Sequence, residues 1–235
     1  MNSCLDKNNN PDFILACELF EKKFSHSDLI DMLKNGGIPE KQFSALKLDV
    51  LNNVEEGKIL ISNLTGCDGK IREAVALKIN QLLTADNSIA DFLIYPEIFA
   101  SASIDINANI CRLVIDSVSI LKQNKKFSEI YLNKIVLLIT EAFDEIDKFI
   151  FKDKKYVINK QLFKLYWCLD ALKLFVNDIE ENILLKILER ASEEKEYTIR
   201  EKIAQICTLT TSDAFAPLIN KLKNDENYYV KAVFS

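Results

Sequence analysis

The triplet Ile199-Arg200-Glu201 repeats Ile71-Arg72-Glu73, and each isoleucine stands three residues after an acid, Glu196 or Asp68. Around the first triplet, Ile71, Ala74, Val75, Ile79, Leu82 and Leu83 recur at steps of three and four. That is the period of a helix with one apolar face. Segment 105–121 has the same form: Asp105 leads, followed by Ile106, Ile110, Leu113, Val114, Val118 and Leu121. Near the end, Val230-Lys231-Ala232 falls on the same template. Matching apolar positions lie at 71 and 199, at 230, and near 108 and 157, at steps of about 37, 49, 42 and 31 residues. Spacing of this size marks helical-hairpin repeats, in which no unit buries its apolar face alone and stacking makes the core.

The segments between these helices agree. Five glycines and four prolines in 235 residues are about a third of ordinary usage, too few for the frequent turns of a sandwich or barrel. Further helices are expected over 55–64, 88–101, 127–150, 156–176, 178–190 and 212–223. Asn87-Ser88, Asn177-Asp178 and Ser212-Asp213 supply cap residues for three of them. Ser25 and Asp28 are spaced as a capping box, Gly36-Gly37 ends the helix they start, and Pro39 opens the next, which is expected to run on to about Gly57. Segment 156–176 is apolar on two faces: Ile158, Leu162, Leu165, Leu169 and Leu172 on one, Phe163, Trp167 and Leu174 on the other. This suits a helix flanked by neighbours. Residues 1–10, rich in asparagine, are expected to be a disordered tail, and residues 11–235 a single domain.

Charge and motifs narrow the function. The net charge of −5 and isoelectric point near 5.2 argue against nucleic acid as the main partner. Six cysteines at 4, 17, 67, 111, 168 and 207 form no CxxC pair, which points to free thiols in a reducing compartment. The start has no apolar signal segment, and no apolar run approaches membrane-spanning length, so a soluble cytoplasmic protein is expected. His26 is the lone histidine and has no partner at metal-ligand spacing. The glycine-containing Thr65-Gly66-Cys67-Asp68-Gly69-Lys70 lacks phosphate-loop spacing. Accordingly no catalytic residue, metal or cofactor is assigned.

Acid, two or three residues, then Val/Ile-Arg, two residues and Ala/Val-Ala resembles the second helix of HEAT repeats, including the short HEAT-like type found with phycobilisome lyases. Segments 68–76 and 196–204 carry the pattern, 225–233 has Lys231 for the arginine, and 105–115 has Asn109 there. The copies at 39–50 and 153–169 match in hydrophobicity alone. The resemblance implies an all-α solenoid of about six antiparallel helix pairs. It also implies that Asp68, Arg72, Glu196 and Arg200 help adjacent repeats to stack.

The function expected of such an array is non-catalytic: an interaction or assembly adaptor gripping a protein partner on its concave face. Arg72, Arg112, Asp116, Lys164, Trp167 and Asp170 are the residues assigned to that surface, with Trp167 as aromatic anchor and a charged rim. An exposed apolar face at the last repeat, with Tyr228, Tyr229, Val230, Val233 and Phe234, would allow pairing with a second copy. The alternative is a DNA glycosylase or nucleic-acid binder. One family of glycosylases for alkylated purines is also HEAT-like, and Trp167-Cys168-Leu169-Asp170 is similar to its aromatic-and-aspartate surface. A single tryptophan and an acidic balance depart from that family.

Overall fold

The computed structural model describes residues 11–149 and 155–235. The expected tail over 1–10, with Cys4, lies outside the described residues. Among these there are thirteen α-helices and no strand. They are α1 (Pro11–Glu21), α2 (His26–Asn35), α3 (Ile38–Lys47), α4 (Val54–Ser62), α5 (Gly69–Ala85), α6 (Pro96–Ala102) and α7 (Ala108–Leu121). Then follow α8 (Lys125–Phe149), α9 (Lys155–Leu172), α10 (Glu181–Ala191), α11 (Tyr197–Cys207), α12 (Ala216–Lys223) and α13 (Tyr228–Ala232). The chain divides into two compact units, one ending at Phe127 and the other beginning at Ser128.

In the first unit α3, α5 and α7 pack in succession, α1 lies on α3, and α2 and α4 form the other row with the 3-10 segment Asn87–Leu93. In the second unit α9, α11 and α13 pack in succession, with α10 and α12 beside α11. Each unit is therefore a stack of helix pairs, and the fold class is an all-α solenoid. Stacking buries both flanks of the inner helices. Val75, Ile79 and Leu83 of α5 and Ile110, Val114 and Val118 of α7 are all at most 1% exposed. Phe99 meets Phe127 edge-on at 5.6 Å in the first unit, and Tyr131 lies against Phe175 at 5.6 Å in the second.

Side-chain caps decide where many helices start. Ser25 and Asp28 form the expected capping box. Asn53, Asp68, Asn107 and Asn227 each accept an amide hydrogen from the first turn of α4, α5, α7 and α13. Two expected helices are broken. The segment expected to run to Gly57 stops at Lys47, because Leu48 turns extended and Asn53 caps a new helix that carries Gly57 inside it. The helix expected over 88–101 splits into the 3-10 turn and α6, because Pro96 keeps Tyr95 out of helical geometry. In α9 the fully buried stripe is Gln161, Leu165, Cys168, Leu169, Ala171 and Leu172, while Phe163 and Trp167 are half-buried.

Cys111, Cys168 and Cys207 are buried. Burial pushes the thiols of Cys111 and Cys207 up to about 12, which leaves them inert at neutral pH. No helix among the described residues is long and apolar enough to cross a membrane. Lys78 of α5 is only 7% exposed. Burial holds its ammonium below the ordinary lysine range, against the opposing attraction of Asp49. Lys78→Met keeps the stem's packing and removes the desolvated charge. The expected result is a gain of roughly 1 kcal/mol, read as a higher midpoint in thermal unfolding.

Candidate functional site

Two arginine clamps link successive helix pairs, one in each unit. In the first, Arg72 of α5 donates from Nε to Asp105 Oδ2 at 2.6 Å and from Nη2 to Oδ1 at 3.2 Å. Its Nη1 reaches the carbonyls of Gly66 and Cys67 at 2.8 and 3.0 Å. Arg200 of α11 repeats this on Asp225, at 2.7 and 3.1 Å, with Nη1 2.9 Å from the carbonyls of both Glu194 and Lys195. Each guanidinium thus spends four N–H donors in a fork that suits a carboxylate. The acids are held in turn, Asp105 by the amide of Asn107 and Asp225 by that of Asn227.

The register of the two clamps is the same. Each arginine lies four residues after the N-cap of its own helix, Asp68 or Glu196. Each acid lies two residues before the N-cap of the next helix in the row, Asn107 or Asn227. Asp68 itself caps α5, accepting from the amides of Lys70 and Ile71 at 2.9 and 3.0 Å. Glu196 stands at the N-cap of α11 without a side-chain cap bond, and its Oε1 accepts from the Thr198 hydroxyl at 3.2 Å. The carboxylates bonded to the arginines were therefore not among the residues singled out as stacking acids. The signal for them is Asp-x-Asn just before an apolar helix, present as Asp105-Ile106-Asn107 and Asp225-Glu226-Asn227.

The Arg200 guanidinium holds the Asp225 carboxyl below its ordinary value of 3.8, with burial opposing. A depressed carboxyl stabilises the fold fully above the unfolded value and loses that stabilisation as pH falls through the folded one. Unfolding by urea at a series of pH values from 6 downward is expected to show stability falling below about pH 4. The slope should be shallower in Asp225→Asn, because that variant has no such proton to take up.

The six residues assigned to a partner surface fall in both units. In the first, Arg72 is 9% exposed and spent in its clamp. Arg112 and Asp116 are exposed one turn apart on α7. Arg112 Nη2 meets Asn109 Oδ1 at 3.4 Å, and Asn109 Nδ2 meets Glu73 Oε1 at 3.3 Å, a polar chain from α7 to α5. In the second unit, Lys164, Trp167 and Asp170 lie on successive turns of α9, each half-buried. Asp170 Oδ1 accepts from Lys202 of α11 at 2.5 Å and from Lys173 at 3.5 Å. The Lys202 ammonium also sits over the Tyr166 ring at 4.7 Å. Burial is the largest single influence and lowers its affinity for the proton, but the bond and charge of Asp170 together with Tyr166 outweigh it and keep the ammonium above the ordinary lysine range. Trp167 packs edge-on against Phe163 and Tyr166, and its buried Nε1 has no hydrogen-bond partner.

Beside this cluster lies an open groove of about 270 Å³, lined by Asn159, Leu162, Phe163 and Tyr166 of α9 and by Glu196 and Thr198 at the start of α11. Tyr197 follows, stacked on Tyr229 of α13 at 5.9 Å, and Tyr229 meets Tyr228 at 5.7 Å. Tyr228 and Tyr229 are 73% and 59% exposed. The groove and the tyrosines give α9, α11 and α13 an aromatic surface, of which Phe163, Tyr166, Trp167, Tyr228 and Tyr229 stand out in the sequence and Tyr197 does not. Among the described residues, no group of histidines, cysteines and acids is placed to hold a metal ion.

No family model matches the chain, and no curated protein matches it in sequence. Solved structures do match it in fold. A crystal structure of an engineered protein aligns at TM-score 0.52 with 12% identity, over 90% of this chain and 96% of that one. A second engineered protein aligns at TM-score 0.48 with 10% identity, over 90% and 94%. A designed armadillo repeat protein aligns at 0.46 with 11% identity, over 89% and 96%. At such identity the first likeness speaks to fold alone, in keeping with the rows of stacked helix pairs.

Proposed function

We propose that this protein is a non-catalytic adaptor of the cytoplasm, a HEAT-like solenoid that grips a protein partner through the second helices of its pairs. The observation that carries this reading is the aromatic surface of the second unit. Exposed tyrosines and a groove flanked by Phe163 and Tyr166 are what a protein interface uses as anchors. The charges around it are already paired, Asp170 with Lys202 and Lys173, which suits a rim rather than a reacting centre. The recurring Asp/Glu-to-arginine pattern and the two clamps support the HEAT-like assignment.

The test is crosslinked capture from cytoplasmic extract, comparing the native chain with a Tyr197→Ala/Tyr229→Ala double variant. The reading expects one protein partner captured by the native chain and lost with the variant, whose helix content stays unchanged by circular dichroism. Equal capture by both would sink it. If nucleic acid is captured instead, the glycosylase alternative takes its place and an alkylated-base excision assay decides it.

A further inference from the structure

We propose that the pocket between the starts of α3 and α5 binds a carboxylate, completing at Lys41 the clamp that Arg72 and Arg200 complete with the chain's own aspartates. This site belongs to the first unit and is independent of the aromatic surface of the second.

The argument is one of register. Counted from its N-cap Gly37, α3 carries Lys41 at the fourth position, the place of Arg72 in α5 and Arg200 in α11. Counted back from Asp68, the N-cap of the next helix in the row, the second position is Gly66. The steps from α5 to α7 and from α11 to α13 have Asp105 and Asp225 there. At this step the cation is kept and the acid is replaced by a residue with no side chain.

The local geometry agrees. Lys41 Nζ donates to Asn63 Oδ1 at 3.1 Å, and among the described residues it has no carboxylate partner. An ammonium has three donors, so two remain. Lys41 and Gly66 both line a pocket of about 340 Å³, together with Ile38, Ile71 and Asp68. A Cβ placed on Gly66 would come no closer than 3.9 Å to a non-neighbouring atom, the Asn63 carbonyl oxygen, so the space is open where a side chain would enter.

The charges select the ligand. Lys41 brings to the pocket a cation that has no carboxylate partner among the described residues, and Asp68 in the lining is committed to the amides of Lys70 and Ile71. A single negative charge is accommodated there better than the double charge of a phosphate monoester, which that acid would repel. Ile38 and Ile71 offer apolar wall to the carbon chain behind the carboxylate. The ligand is therefore a monocarboxylate, supplied either by an aspartate in a peptide or by a small free acid.

The experiment is a titration of the full chain followed by amide signals in ¹⁵N–¹H spectra. The probes are acetyl-Ile-Asp-Ile-Asn-amide, which copies residues 104–107, the same peptide with Asn for Asp, and propionate. The aspartyl peptide or propionate is expected to shift the amides of Lys41, Gly66 and Cys67 saturably, with the Asn peptide inert. Shifts with both probes assign a free carboxylate as sufficient, and shifts with the peptide alone assign a peptide segment. Lys41→Met should weaken binding about tenfold, the loss of one charge-assisted hydrogen bond. Gly66→Asp should abolish binding and raise the unfolding temperature, because its own carboxylate fills the site. If neither probe shifts those amides, if the Asn peptide binds equally, or if Lys41→Met binds as tightly as the native chain, the proposal fails. Lys41→Met alone decides the matter should Gly66→Asp not fold.

Discussion

Replacing Arg200 by methionine is expected to destabilise the second unit by about 3 kcal/mol, because it leaves Asp225 as an unpaired and largely buried charge. The Arg200 and Asp225 side chains are only 10% and 9% exposed, so water recovers little of what the arginine supplied. The carbonyls of Glu194 and Lys195 lose their donor in the same step. Arg200→Lys should recover only part of the loss, since an ammonium cannot span both oxygens of Asp225 and both carbonyls at once. The discriminating variant is the double replacement Arg200→Met/Asp225→Leu, which removes both charges and should be more stable than Arg200→Met alone. Urea unfolding followed by the fluorescence of Trp167, which lies in the same unit, measures all three. Equal stability of the single and double variants would mean that the clamp contributes shape rather than charge pairing.

These clamps also show what can be read from the chain and what cannot. Helical periodicity reveals α5, α7 and α11 because their apolar faces are continuous and their neighbours cover them as a stacked array requires. The arginines stand out because the same triplet occurs twice. Their partners do not stand out. A reader of the sequence meets Asp68 and Glu196 first, four residues away, and those positions belong to the helix starts. The bonded acids lie 33 and 25 residues further on, since the contact runs from one repeat to the next. Local spacing reports capping, and only the stacking of one pair on another reports the clamp. The stacking of Tyr197 on Tyr229 was hidden in a similar way. Tyr197 and Tyr229 belong to different repeats, and nothing in their sequence neighbours announces that they stack.

Gly57→Ala is expected to have the largest effect of any single methyl group added to this chain. Glycine at mid-helix normally costs stability relative to alanine, so propensity alone predicts a gain of about 1 kcal/mol. The structure reverses that sign. Gly57 sits inside α4 and is buried against the backbone of the 3-10 segment, where an added Cβ would lie 2.2 Å from the Phe92 carbonyl oxygen and 2.9 Å from its carbonyl carbon. No rotamer relieves such a contact, because neither the Cβ nor the opposing carbonyl has a torsion of its own to yield. The helix and the 3-10 segment must move apart, opening the row in which Leu60, Ile61 and Leu93 are fully buried. Overpacking a well-packed core costs about 1–3 kcal/mol, released through side-chain and backbone shifts, and against backbone on both sides the upper end or beyond is expected. Amide hydrogen exchange is the sharper measurement, since α4 and residues 87–93 should lose protection together while α11 and α13 in the second unit keep theirs. Retention of native protection in α4 would show that the two backbones can separate at little cost, and that the glycine reflects no requirement for close approach.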